Sequence, residues 1–222
     1  MHSAIEQLNL IKIKVNNIIN KTQLKTHPEI IVVSKTFPLI KIKPLLESGH
    51  IHYGENKIQE AEEKWSQVKL EYKNIKLHMI GKLQTNKVKS ALKLFDYIHS
   101  LDNEKLAIKL SQGQKMLGKD VKFFIQVNLA DEVQKSGISL NKLNDFYDYC
   151  TKELSLNVIG LMCLPPIDPS PQKYFKILKE SSVRLNLNEL SMGMSSDFEE
   201  AILNHSTYLR IGTLILGKRN IT

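Results

Sequence analysis

Eight short runs rich in β-branched and aromatic residues recur along the chain, and segments with the apolar spacing of amphipathic helices separate them. The runs occupy residues 29–36, 50–53, 75–81, 95–100, 121–128, 157–163, 189–194 and 207–212. Most are continuously apolar rather than alternating, the pattern of strands covered on both faces of a parallel sheet. Strand–helix alternation of this kind, in a chain of 222 residues, predicts an α/β fold: a single (β/α)8 TIM barrel. An open doubly wound sheet is the competing arrangement. It is disfavoured because no G-x-G-x-x-G or Walker-type loop follows an early strand. Ahead of the first strand, Ala4, Leu8, Ile11, Val15 and Ile18 stand at three- and four-residue spacings and predict an extra N-terminal helix over residues 3–22.

The length suits one domain spanning residues 1–222. No apolar run approaches the roughly 18 residues a membrane span needs, and the start carries an early acid, Glu6, without a leader-like apolar stretch, so a soluble, cytoplasmic protein is expected. Cys150 and Cys163 fit small core residues in a reducing compartment better than a disulfide or a metal site. A net charge of +8 raises the question of nucleic acid. The positive residues, however, are mostly lysines spread over every helical segment, with arginine only at Arg184, Arg210 and Arg219 and no basic stripe interleaved with aromatics. A solvated lysine-rich surface is expected, with neither nucleic-acid nor membrane partners.

A barrel of this type carries its site at the C-terminal strand ends, with phosphate commonly held after the seventh and eighth strands. Those ends present Lys35, Glu55 and Asn56, His78, Ser100, Asn128, Met162 and Cys163, then Ser191, Gly193 and Ser195, and finally Arg210, Gly212 and Thr213. Ile31, Val33 and Lys35 share a face, so Lys35 points the way the core residues point. Partial burial of a lysine favours the neutral amine that Schiff-base chemistry needs, whereas a lysine snorkelling from a strand end is the plainer alternative. Glycines and small hydroxyls after the last two strands suit a phosphate cradle; turn glycines, capping serines and a hydrogen-bonded core His78 are the corresponding alternatives. Arg210 shares a face with Tyr208 and Gly212 and should point into the same cavity one layer below Gly212. Facing a pyridine nitrogen, an arginine can only donate, and so keeps that nitrogen unprotonated; a buried ion pair with Glu55 or Glu189 is the other possibility.

Several ordered blocks go further. Ile31-Val32-Val33-Ser34-Lys35-Thr36, Gly54-Glu55-Asn56-Lys57-Ile58-Gln59-Glu60, His78-Met79-Ile80-Gly81-Lys82-Leu83-Gln84-Thr85-Asn86-Lys87, Lys135-Ser136-Gly137, Leu190-Ser191-Met192-Gly193-Met194-Ser195 and Arg210-Ile211-Gly212-Thr213 together resemble the YggS/PROSC family of pyridoxal 5'-phosphate-binding proteins. The blocks run in order over nearly the whole chain. The resemblance implies a barrel like the alanine racemase N-terminal domain (fold type III), with pyridoxal phosphate (PLP) held as a Schiff base on Lys35 and Arg210 near the ring nitrogen. It implies phosphate contacts from Ser191, Gly212 and Thr213, with Asn56, His78 and Met192 also among the cofactor-binding residues, and neither a catalytic residue nor a metal site. Lys82 stands where the family usually has histidine, and Cys163 where threonine is common.

The resemblance also implies a non-enzymatic carrier or regulator in vitamin B6 and amino-acid homeostasis, a monomer that hands PLP to PLP-dependent apo-enzymes. A PLP-dependent amino-acid racemase is the alternative function. A two-base racemase needs an acid/base group on each face of the substrate, and no second base is evident after the last strand. A nucleic-acid-binding module, resting on net charge alone, is the third hypothesis.

Overall fold

The computed structural model describes residues 3–130, 136–166, 168 and 170–218. Eight barrel strands form: β1 (Glu29–Val33), β2 (His52–Glu55), β3 (Lys76–Met79), β4 (Tyr97–Leu101), β5 (Lys122–Asn128), β6 (Val158–Cys163), β7 (Glu189–Met194) and β8 (Tyr208–Ile211). Each pairs in parallel with the next, and β8 pairs with β1, so the sheet closes into the expected barrel with no free edge among these strands. The pair Ile138–Ser139 adds two residues to the carboxyl end of β5 outside the ring.

Helices cover the outside: α1 (Ala4–Thr22), α2 (Leu39–Glu47), α3 (Ile58–Trp65), α4 (Val68–Glu71), α5 (Val88–Leu94), α6 (Glu104–Leu117), α7 (Leu143–Asp148), α8 (Gln172–Arg184), α9 (Phe198–Leu203) and α10 (Thr213–Leu216). The expected N-terminal helix is present as α1. It opens on a capping box in which the Glu6 amide donates to Ser3 Oγ and the Ser3 amide donates to Glu6. Its buried stripe of Leu8, Ile11, Val15 and Ile19 packs against α2, α9 and α10. The helical segment after β2 is broken into α3 and α4, and α7 runs on into a π-turn at Tyr149–Glu153.

The core has two parts. A large shell lies between strands and helices, while Ile31, Tyr97, Phe124, Met162 and Tyr208 plug the barrel axis. Side chains alternate between the two, which is why the strands read as continuously apolar. Two boundaries differ from the expected ones in ways that matter for the site. β1 stops at Val33, because Lys35 and Thr36 form a turn in which Thr36 adopts φ +66°. β2 extends through Gly54 and Glu55; a Cβ on Gly54 would stand 2.9 Å from Ile31 Cγ2, so only glycine lets β2 sit this close to the axis.

Tightest of all is Gly160 on β6, where a Cβ would lie 2.1 Å from the Glu189 carbonyl oxygen. Backbone of a paired strand cannot yield as a side-chain tip does. Gly160→Ala is expected to destabilise by about 1–3 kcal/mol, the usual cost of overpacking, and thermal unfolding should register this as a drop of several degrees. An unchanged melting temperature would contradict the β6–β7 register.

Candidate functional site

Lys35 is half-buried at the carboxyl rim, two residues beyond the end of β1. The turn carrying it is gripped from α3. Lys64 Nζ donates to the Ser34 carbonyl, to Glu55 Oε1 and to Glu60 Oε1, all at 2.9 Å, while Glu60 Oε1 accepts the Thr36 amide. Both neighbours of Lys35 are thereby tied to one helix. Glu55, fully buried, also receives Ser34 Oγ at 2.8 Å and Trp65 Nε1 at 3.0 Å on the same oxygen. Glu60 thus holds the left-handed Thr36 directly, while Lys64 and Glu55 hold Ser34 on the other side of Lys35; such a backbone state costs a non-glycine residue energy and persists where its surroundings over-determine it.

Next to this turn, Asn56 follows β2. Its Oδ1 is buried without a hydrogen-bond partner. A Cβ on Gly81 would fall 2.5 Å from the Asn56 carbonyl oxygen, so the loop after β3 can pass only as glycine and holds Asn56 at the rim. Across the mouth, a cavity of about 300 Å³ opens between Gly81, Lys82, Gln126, Asn128, Ser136 and Leu164, at the lower end of the range for small-molecule sites, about 300–1,000 Å³. Lys82 is exposed and lines both this cavity and a neighbouring one with Asn56 and Lys87. Lys135, from the expected Lys135-Ser136-Gly137 block, lies outside the described residues.

Arg210 does point inward. It is 4% exposed, with Nη1 donating to Ser191 Oγ at 2.7 Å and Nη2 to the Cys163 carbonyl at 2.8 Å. Neither Glu55 nor Glu189 pairs with it: Glu55 is taken by Lys64, and among the described residues Arg210 has no ion-pair partner. Burial lowers its pKa, against the longer-range pull of Cys163 and Asp197, but a guanidinium stays charged. Because the main chain of Cys163 holds the arginine, the cysteine side chain packs into the outer shell, where burial pushes its thiol up to about 12.

Ser191 and His78, expected at the rim, sit one layer deeper. Both are fully buried, and the Ser191 hydroxyl is bonded to Arg210 and to His99 Nδ1 at 2.8 Å. His78 bonds His99 through Nδ1 and His52 through Nε2, each at 2.9 Å. The Met192 side chain packs in the outer shell, so only its main chain faces the barrel. At the rim itself stand Ser195, Gly212 and Thr213. The first hydrogen bonds of α10 run from Ile215 and Leu216 back to Gly212, which leaves the Thr213 and Leu214 amides ahead of any intrahelical bond. A Cβ on Gly212 would press on Val33 at 3.3 Å.

The rim therefore gathers a primary amine, a guanidinium with spare donors one layer down, an unpartnered amide oxygen and the backbone N–H groups that open α10. This donor set fits an aldehyde-bearing aromatic phosphate. His52, His99, Glu60 and Lys64 stand beside the site without having been among the expected site residues. His99 alternates with Tyr97 on an expected strand and was open to detection by period-2 counting; Lys64 gives no signal without the fold.

The family described as "Alanine racemase, N-terminal domain" matches residues 8–220. Among curated proteins, a pyridoxal phosphate homeostasis protein of Pasteurella multocida is 36% identical, covering 98% of each chain. One from Aquifex aeolicus is 37% identical over 84% of this chain and 85% of its own. Among solved structures, PipY of Synechococcus elongatus with PLP bound superposes with a TM-score of 0.85 at 30% identity, covering 97% of this chain and all of that one. An alanine racemase from Acinetobacter baumannii shares the fold at TM-score 0.72 and 12% identity, with 94% of this chain matched to 60% of that one. The chain belongs to the alanine racemase N-terminal domain family and, within it, to the pyridoxal phosphate homeostasis proteins.

Two expected outcomes follow from the buried charges. Lys64→Met removes one partner of a pair whose side chains are 8% and 0% exposed; it should cost about 3–5 kcal/mol in a urea titration, with partial recovery in Lys64→Arg. Burial lowers His50 to about 4 and holds His78 and His99 well below the ordinary 6.5. The unfolded chain binds protons from about pH 6.5 downward while these folded imidazoles do not, so stability is present above that pH and lost as pH falls. The loss should approach about 1.4 kcal/mol per pH unit for each histidine that stays neutral, measurable as a falling urea midpoint between neutral pH and about pH 5.

Proposed function

We propose that this protein holds pyridoxal phosphate at the carboxyl rim as a Schiff base on Lys35, and that it serves inside the cell as a carrier or regulator of that cofactor, as a monomer, rather than as an enzyme. The observation that carries this reading is the placement of Lys35 and Arg210 at one mouth, in a chain alike over 97% of its length to a protein seen with PLP bound. The Lys35 amine condenses with the cofactor aldehyde, releasing water. Arg210 donates to the ring nitrogen, and the amides of Thr213 and Leu214, with the rim hydroxyls of Ser195 and Thr213, meet the phosphate. Asn56 Oδ1 faces the ring substituents. Ser191, His78 and the Met192 side chain act from behind the pocket, holding Arg210 or the strand rather than reaching the phosphate.

Arg210 also supports the non-enzymatic part. The cofactor's chemistry is to draw electrons from a bound amino acid, and the draw is strongest when the ring nitrogen carries a proton. A guanidinium offers only donors, so that proton is withheld. Curated relatives named for homeostasis rather than for a reaction agree with this. Transfer to PLP-dependent apo-enzymes through the open rim is the corresponding role.

Borohydride reduction of the cofactor-loaded protein, followed by peptide mass spectrometry, should place the adduct on Lys35, and Lys35→Ala should lose both the adduct and the visible imine absorbance. An adduct on Lys82 or another lysine would overturn the assignment. The racemase alternative is separated by incubating loaded protein with L- and D-amino acids in deuterated water: Cα exchange at about one turnover per second or faster, within the ordinary enzyme range, would restore it.

A further inference from the structure

We propose that His52, His78 and His99 are one hydrogen-bonded positioning unit that carries the hydrogen-bonding state of the barrel's amino-terminal end to Ser191 and Arg210. The chain runs His52 Nδ1 to His78 Nε2 at 2.9 Å, His78 Nδ1 to His99 Nε2 at 2.9 Å, His99 Nδ1 to Ser191 Oγ at 2.8 Å, and Ser191 Oγ to Arg210 Nη1 at 2.7 Å. It begins at the first residue of β2, crosses β3 and β4, and spans the axis to β7 and β8. The three rings are strung in a line rather than gathered round a point, and among the described residues no group is arranged to hold a metal.

Each nitrogen-to-nitrogen link needs one hydrogen and one lone pair, and a neutral imidazole has one of each. Only two arrangements satisfy every link. In the first, all three rings carry hydrogen on Nε2, and Ser191 donates to His99 while accepting from Arg210. In the second, all three carry it on Nδ1, and Ser191 accepts from both His99 and Arg210, leaving its own hydrogen free for another acceptor. Fixing any one tautomer fixes the other two. Aromatic rings exclude water that could patch a mismatch: Tyr97 stacks on His78 at 4.3 Å and Phe124 on His99 at 4.2 Å, with Tyr208 edge-on to His99 and Phe124.

The base end selects between the arrangements. His52 Nε2 lies 3.7 Å from the exposed Glu29 carboxylate and borders a cavity of about 330 Å³ that also contains Lys12, His27 and His50. His50 spends its Nε2 on the His52 carbonyl and leaves the His52 ring free. The other charges bearing on the chain are Lys76 and Asp96 near His52, Lys69 near His78, and Arg210 near His99. A carboxylate at the base and the lack of a third partner for the Ser191 hydroxyl among the described residues both favour the first arrangement in the ligand-free protein. A proton taken up by His52 puts hydrogen on both its nitrogens, which forces the second arrangement and turns the Ser191 hydroxyl around at the far end. Such coupling is reciprocal: an acceptor arriving at the mouth that draws on Ser191 favours the same state.

The test uses the full-length, ligand-free protein labelled with ¹⁵N-histidine, with two-bond proton–nitrogen correlation spectra distinguishing Nδ1–H from Nε2–H. All three rings should be Nε2–H at mildly alkaline pH. On acidification His52 alone should protonate, and His78 and His99 should change to Nδ1–H at that same midpoint while staying neutral. Glu29→Lys, an exposed change at the base, should favour the Nδ1–H state of His99 without acid, and Glu29→Asp should not. Mixed tautomers, separate midpoints or an indifferent His99 would overturn the proposal. The last link, to Arg210, rests on the cofactor reading: in loaded protein, Glu29→Lys should shift the cofactor's absorbance. A concerted switch in a protein that takes up no cofactor would leave the histidine unit standing and sink the cofactor reading, whereas a loaded protein with no shift would refute the link to Arg210.

Discussion

A guanidinium inside a barrel is the constraint on which most of this structure turns. Arg210 cannot lose its charge, and burial of a charge is tolerated only when its hydrogens are met. Here the acceptors are a hydroxyl and a main-chain carbonyl, Ser191 and Cys163, rather than a carboxylate. A carboxylate in contact would neutralise the arginine and remove its reason to address a ligand. With neutral acceptors, the remaining donors stay available at the mouth. The same positive charge also bears on the histidine beside Ser191, opposing a second cation there, so the neutrality of His99 follows from the arginine as well as from burial.

A second constraint acts at the rim. Lys35 leaves the barrel through a turn that the backbone alone would not choose, since Thr36 sits at φ +66°. The Lys64, Glu55 and Glu60 cluster makes that turn the satisfied state, at the cost of burying an ion pair. Such pairs seldom add net stability over an apolar packing of equal volume. Its presence beneath Lys35 is therefore better understood as fixing geometry than as strengthening the fold.

The sequence disclosed the barrel, its N-terminal helix and the inward direction of Arg210, because all three depend on periodicity alone. Period-2 alternation through Tyr208, Arg210 and Gly212 needs no knowledge of neighbours. The depth of a residue along the axis is another matter. His78 and Ser191 were expected at the rim and lie below it, since depth depends on strand register and stagger, which parallel pairing sets between residues far apart in sequence. The contact between His99 and Ser191 joins positions 92 residues apart. The boundary of β2 departs from the expected one for a related reason: Gly54 looks like a strand terminator, but it continues the strand where Ile31 leaves no room for a side chain.

The interior layers also explain why the barrel is built asymmetrically. Its axis is plugged by Ile31, Phe124, Met162 and two tyrosines, yet a polar thread of three imidazoles passes through that plug. An apolar filling would pack as densely and would spare the fold the acid sensitivity that neutral buried histidines bring. The thread is tolerable because five of its six ring nitrogens are hydrogen-bonded and the sixth, His52 Nε2, lies 3.7 Å from the Glu29 carboxylate, and a satisfied polar network in a dry interior is rigid in a way that apolar contacts are not. That rigidity is delivered to Ser191 and, through it, to the buried guanidinium of Arg210. The polar interior and the buried arginine are thus a single arrangement, in which each makes the other's burial sustainable.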